Sequence, residues 1–387
     1  MWYFDCPHVV FGEEALSHLT QLTGRLAVIV TDQNMARLGL IQLVTAQLDT
    51  AGIAHIVFDE TEPEPSLQLV HRCAAVLAQH QPDWIIALGG GSCIDAAKAA
   101  WLLYENPGVD LAGVNPFDQY VMREKAHLIA IPTTSGTGSE ATWYAVLTDT
   151  AEQRKAGIGS RQMLPDLVIL DPELIVSLPP SITADTGLDA LTQAIESHSS
   201  TWHNDFSDAL CVHAVKLICE YLPRAYADGT DREAREHMHN AATIGGVGFG
   251  NSQATLAHAM GHALGVLFHV PHGRSVALFL PYTMEFAVNN GSDRYSDIAL
   301  ALGLPARDAR EGAVNLITTI RELEAKLHQP QSISELGITA EAYANAIPEL
   351  IAKAEMDTQI VTSPRIPDTD ELRRLFEYAY EGKSIDF

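Results

Sequence analysis

Basic residues are scarce in this chain: 24 Lys and Arg stand against 49 Asp and Glu, a formal charge of −25. Binding to nucleic acid or to an anionic membrane surface concentrates Lys and Arg, so neither partner is expected. Long apolar runs are missing too. None approaches the ~20 residues of a membrane-spanning helix. The opening stretch, MWYFDCPHVVFGEEAL, carries no basic segment ahead of an apolar one, so no signal peptide is expected. Cysteine is sparse: Cys6, Cys73, Cys93, Cys211 and Cys219 are odd in number and lack CxxC spacing. This argues against a disulfide framework or a cysteine-held metal and for a reducing, cytoplasmic setting.

What is present is length and alternation. A chain of 387 residues is too long for one compact core and implies two domains. In the first half, β-branched runs at 26–30, 53–58, 84–88, 128–131 and 167–170 alternate with helical spacing such as 36–48 and 67–78. Strand–helix–strand alternation predicts an α/β, Rossmann-like parallel sheet covered on both faces. After Leu178-Pro179-Pro180 the periodicity is helical almost throughout, over 184–197, 207–225, 232–245, 253–268, 309–327, 340–354 and 370–381. The expected domains are therefore 1–180, nucleotide-binding, and 181–387, all-helical.

Several polar groupings carry chemistry. In LAHAMGHALGVLFHVPHG (256–273), His258 and His262 share one helix face, and His272 follows a Val-Pro break. Neutral imidazole is the commonest ligand of divalent transition metals, though such histidines also occur on half-buried helices. Asp189, Gln193 and Glu196 lie at i, i+4 and i+7 of another helix. A carboxylate there with His258 and His272 would make an oxygen–nitrogen site with an open position, as a catalytic ion needs. Asp189 is equally suited to stabilising a helix dipole, and Glu196 is expected to be solvated or salt-bridged. Three expected strands end in polar turns at Thr31-Asp32, Gly89-Gly90-Gly91-Ser92 and 133–139. Ligands of open α/β sheets bind at strand carboxyl ends. The GGGS turn opens a helix whose N–H groups attract phosphate, although it is not the GxGxxG fingerprint. Asp32 can accept from an adenosine ribose and repel a 2′-phosphate, favouring NAD over NADP, or can simply cap a helix. Trp143, Phe249 and Phe268 are candidates for an apolar substrate lining, drawn from helices of the second domain.

FGEEAL, VTD at 30–32, GGGSxxD at 89–95, PTTSGTGSE at 132–140, DALTxAIE at 189–196 and HAMGH…PHG at 258–273 occur in that order. Together they resemble the iron-dependent (group III) alcohol dehydrogenases over nearly the whole length. The resemblance implies a dinucleotide-binding domain followed by a helical one, with the active site in the cleft between. It implies an NAD-dependent, metal-containing oxidoreductase for a small alcohol/aldehyde or ketone pair, forming a homodimer or larger homo-oligomer. Asp189, His258 and His272 then match metal ligands, and His262 lies beside substrate as a catalytic candidate. Asp32, Gly89 to Ser92, Asp95, Thr133, Thr134, Thr137 and Lys155 match the cofactor side. Where iron enzymes carry a fourth ligand histidine this chain has Gln193, a doubtful ligand, so the ion is Fe2+ or Zn2+; His198 is off the ligand face. A dehydroquinate-synthase-like lyase, a hydroxyacid–oxoacid transhydrogenase and an inactive NAD-binding relative remain open alternatives.

Overall fold

The computed structural model describes residues 3–150 and 154–387, the side chains of Arg154 and Lys155 excepted. The chain forms two compact units, Met1–Ser177 and Leu178–Phe387. The first begins with β1 (His8–Phe11), β2 (Leu26–Val30), α1 (Gln33–Arg37), α2 (Leu40–Ala51), β3 (Ala54–Phe58) and α3 (Leu67–His80). It continues through β4 (Trp84–Gly89), α4 (Gly91–Glu105), β5 (His127–Pro132), β6 (Tyr144–Asp149), β7 (Arg154–Gly159) and β8 (Leu167–Leu170).

Six of these strands form one sheet in the order β1-β8-β5-β4-β2-β3, and every pairing is parallel. The composition explains the pairing. β2 and β8 are apolar at every position and buried at every position, as strands covered on both faces must be. Successive strands step outward from β2 in opposite directions, β3 to one side and β4 to the other. The carboxyl ends of β2 and β4 therefore lie side by side at the reversal, where such sheets bind ligands. Asp32 and Gly89 sit at those two ends.

Three features differ from expectation. The predicted helix over 36–48 is two helices, α1 and α2, parted at Gly39 with φ 75°. β1 joins the sheet edge, with Phe11 63% exposed, so its four residues lack the apolar run of a central strand. β6 and β7 form a separate antiparallel hairpin.

The second unit is helical: α5 (Pro180–Ser199), α6 (Asp205–Ala227), α7 (Arg232–Ser252), α8 (Leu256–Phe268), α9 (His272–Asn289), α10 (Tyr295–Ala301), α11 (Ala309–Lys326), α12 (Ala340–Met356) and α13 (Thr369–Glu381). One apolar core joins α5 to α13. α9 is not among the expected helices, and it runs through Pro281, while the expected Val270-Pro271 break parts it from α8. Pro271 occupies the N-cap of α9, where a missing N–H costs nothing. Among the described residues, no helix is long and apolar enough to cross a membrane.

Candidate metal centre and nucleotide cradle

α5, α8 and the first turn of α9 pack together in the second unit, and their backbones approach closely. A Cβ on Gly261 of α8 would lie 2.8 Å from the Cα of Val276 on α9. A Cβ on Gly273 would overlap the carbonyl oxygen of Asp185 on α5. Only glycine admits such contacts. They bring Asp189, His258 and His272 together, with one ligand atom from each lying within 4.8 Å of the others. Asp189 Oδ1 is 3.6 Å from His258 Nε2 and 3.5 Å from His272 Nε2. Ligands of one tetrahedral ion at ~2.1 Å stand roughly 3.4 Å apart, so these separations suit a single ion. Burial opposes ionisation of Asp189, but His272 and His258 outweigh it and hold the carboxyl well below its usual range. Burial also opposes charge on His258, yet Glu196 and Asp189 raise it to about 10. One carboxylate and two imidazoles are the donor set of an oxygen–nitrogen metal site.

Gln193 Nε2 donates to Asp189 Oδ1 at 3.4 Å, so the amide nitrogen is aimed at the Asp189 carboxylate. His198 lies away from the cluster, its Nε2 3.2 Å from the Arg294 carbonyl and its Nδ1 3.6 Å from Asp208. Of the two expectations for Glu196, solvated or salt-bridged, the second holds: it is 2% exposed and pairs with His258. Its Oε1 accepts from Thr255 Oγ1 and the Ala257 N–H, both at 2.6 Å, and its Oε2 lies 2.5 Å from His258 Nδ1. The i+7 spacing puts Glu196 on the same helix face as Asp189.

His262 stacks on His272, ring centroids 5.2 Å apart at 23°. Its Nδ1 lies 2.6 Å from Oδ2 of Asp357, a residue just past α12 that no sequence pattern singles out. Burial, His272 and His258 lower the His262 pKa against the pull of Asp357, favouring a neutral ring with Nδ1–H on Asp357. Phe249 stacks over His258 at 6.4 Å, whereas Phe268 packs on Tyr343. Trp143 belongs to the first unit, before β6, not to a helix of the second.

In the first unit, the glycine turn and the threonine loop lie against each other. Gly89 has φ +148°, and a Cβ on it would meet Cys93 Sγ at 2.5 Å. Gly90 faces Thr134, and Gly91 faces Thr137. The Thr133 N–H bonds the Gly89 carbonyl at 3.0 Å. Among the described residues no side chain caps α4; the Cys93 N–H bonds the Gly90 carbonyl at 3.0 Å, and a helix start of this kind attracts an anion. Ser92 Oγ accepts from the Glu64 N–H at 3.3 Å. Asp32 caps α1 through Oδ1, accepting from Asn34 and Met35. Its Oδ2 accepts from the Cys93 thiol at 3.6 Å.

Asp95 accepts from Ser139 Oγ at 2.5 Å and the Val146 N–H at 3.0 Å, so it anchors the loop. One helical turn on, the fully buried Lys98 donates to Ser139 O, Ser139 Oγ, Thr142 Oγ1 and Tyr144 O. Burial pushes its pKa down to about 8, against Asp95 and Glu140. A lysine inside CIDAAKAAW is the signal the sequence offered for this clamp. The Lys155 side chain lies outside the described residues.

The family model "Iron-containing alcohol dehydrogenase" matches residues 6–172, and the model "Fe-containing alcohol dehydrogenase family, C-terminal" matches 183–380. The NADPH-dependent butanol dehydrogenase of Clostridium saccharobutylicum is 37% identical over 390 residues, covering 100% of both chains. The aldehyde-alcohol dehydrogenase of Streptococcus pneumoniae is matched at 36% identity over 43% of its own length. A 1,3-propanediol oxidoreductase structure superposes with a TM-score of 0.91 at 31% identity, covering 98% of this chain and 100% of that one. A sulfoacetaldehyde reductase of Bifidobacterium kashiwanohense, solved with NAD+, gives 0.86 at 29% identity, covering 98% and 99%. With both halves matched in order, the chain belongs to the iron-containing alcohol dehydrogenase family and is an oxidoreductase of alcohol/aldehyde pairs.

Proposed function

We propose that the chain interconverts a small alcohol and its aldehyde or ketone, with NAD(H) as hydride carrier and one divalent ion, Fe2+ or Zn2+. Asp189, His258 and His272 would hold the ion, and the convergence of their ligand atoms within 4.8 Å carries this reading. When bound, the ion and the nicotinamide supply Lewis acidity and a hydride acceptor. The remaining work falls to the chain's own residues. Gln193, a neutral amide, steadies Asp189 through its N–H instead of adding a fourth donor. That favours Zn2+, which accepts three protein ligands and an open position, over Fe2+. Phe249 supplies an apolar wall beside His258.

His262 is assigned the substrate proton. With Nδ1–H on Asp357, its Nε2 is the free acceptor, and the ring can take a proton from the alcohol or return one to the carbonyl carbon's oxygen. His262→Ala should lower kcat by about 10²- to 10⁴-fold while metal stoichiometry stays at the parent value. Loss of metal in that variant would make His262 a ligand.

Residues 1–180 would cradle the nucleotide: Asp32 at the adenosine ribose, Gly89 to Ser92 at the diphosphate, Thr133, Thr134, Thr137 and Lys155 on the nicotinamide side. Asp95 and Lys98 hold that loop. The Asp32 carboxylate would repel a 2′-phosphate, so NAD is assigned over NADP, unlike the NADPH-dependent butanol relative. Gly91→Ala places a Cβ 2.9 Å from Thr137 Oγ1. It should weaken NADH binding about tenfold, ~1.4 kcal/mol, in a fluorescence titration, leaving the metal in place. Residues 181–387 would hold ion and substrate. A homodimer or larger assembly in a reducing cytoplasm completes the proposal, and all five cysteines are free thiols. Elemental analysis of the purified protein, run with a 340 nm rate scan over short alcohols, diols and aldehydes, tests the whole reading. A metal-free protein, or one inert with every substrate, would refute it.

A further inference from the structure

We infer that Glu196 is a positioning residue for the ion: it fixes the His258 tautomer and ties the first turn of α8 to α5. The inference rests on the metal reading above. Three donors converge on this one side chain, two of them on the same oxygen: Thr255 Oγ1 and the Ala257 N–H at Oε1, and His258 Nδ1 at Oε2. The Ala257 N–H can only donate, so Oε1 must accept. The neutral imidazole that ligation requires has two tautomers, and only one leaves a lone pair on Nε2, the atom that faces Asp189 Oδ1 at 3.6 Å. An acceptor at Oε2 selects it: Nδ1 carries the hydrogen, and Nε2 is left to bind metal.

A carboxylate is the one side chain of this size with acceptors at both ends. The isosteric amide fails in either orientation. With its oxygen toward Thr255 and Ala257, its NH2 faces Nδ1 and forces the hydrogen onto Nε2, which blocks the ligand bond. With its oxygen toward His258, its NH2 meets the Ala257 N–H, donor against donor. Glu196→Gln therefore changes which ring nitrogen is protonated, or loosens the start of α8, without removing any ligand. Outer carboxylates of this kind are worth about 10- to 100-fold in metal affinity.

The test is Zn2+ titration of the metal-stripped full chain against a chromogenic chelator, with the visible spectrum of the Co2+-loaded protein as a second readout. E196Q should bind Zn2+ about 10- to 100-fold more weakly than the parent, with a shifted Co2+ spectrum. Thr255→Val removes one donor to Glu196 and leaves His258 Nδ1 its acceptor, so its Zn2+ affinity should stay within about threefold of the parent. Glu196→Asp keeps two acceptors on a shorter arm and should fall between, which serves if E196Q does not fold. A merely structural Glu196 would lower the thermal midpoints of E196Q and T255V alike with Zn2+ affinity and spectrum unchanged, and that result overturns the inference. A parent that takes up no Zn2+ overturns the metal reading with it. A parent that binds while E196Q binds equally well overturns the role of Glu196 alone.

Discussion

His272→Ala is expected to abolish stoichiometric metal and alcohol-dependent NADH formation together, with turnover falling by at least about 10³-fold. The expectation comes from donor number. Three side chains converge here, and losing one leaves a carboxylate and a single imidazole, too few to retain a catalytic zinc or iron through purification. His272 is also the most exposed of the three, its side chain 39% accessible against 5% and 2% for His258 and Asp189. Removing it opens no sealed cavity, so the metal-free variant should unfold within a few degrees of the metal-free parent. Chemistry and stability thereby separate. His258→Ala, by contrast, leaves Glu196 facing a buried void and should lose both. Turnover retained in His272→Ala after chelation would take the ion out of the reaction.

Gly273→Ala should be the most damaging single methyl in the second unit. Its Cβ would overlap the carbonyl oxygen of Asp185 and sit 3.1 Å from the Asp189 Cβ. Both obstacles belong to α5, and the first is main chain, which cannot swing aside as a side chain does. Relief requires α9 to move away from α5, and two other links resist this. Arg274 grips Asp185 through Nε and Nη2, each at 3.1 Å, and Gly261 holds α8 against Val276. Overpacking of this kind costs about 3 kcal/mol or more. Calorimetry should show a midpoint lowered by several degrees, and chelator competition should show weakened metal, because His272 moves with its helix. A Gly273→Ala protein with parental melting and metal content would mean that the helices are not held at this distance in solution.

These two variants also show what the sequence could and could not convey. The PHG triplet announces a turn and an imidazole, but the reason for its glycine lies on α5, some ninety residues earlier. Helix periodicity places Asp189, Gln193 and Glu196 on one face, and the parallel sheet follows from the alternation of strand and helix patterns in the first half. For Glu196 the sequence leaves a solvated and a salt-bridged carboxylate both open, because the partners that decide between them, Thr255 and His258, stand 59 and 62 residues away. Asp357 is harder still, a lone aspartate at a helix end whose imidazole is 95 residues distant. β1 and the β6–β7 hairpin escaped notice for another reason. Both sit outside the doubly covered part of the sheet, so neither needs the apolar composition that betrays β2 or β8.

The close seating of α5 against α9, and of α8 against α9, has a consequence for how such a centre can change. The gaps between Asp189, His258 and His272 follow from how closely these helices seat, a frame that the glycines at 261 and 273 permit. Position 193 hangs from that frame one turn beyond Asp189, its amide nitrogen 3.4 Å from the carboxylate. An exchange there alters how many donors the ion meets while leaving the scaffold's dimensions alone. The preference for one metal over another is thus open to retuning by one codon, with no re-folding of the bundle around it.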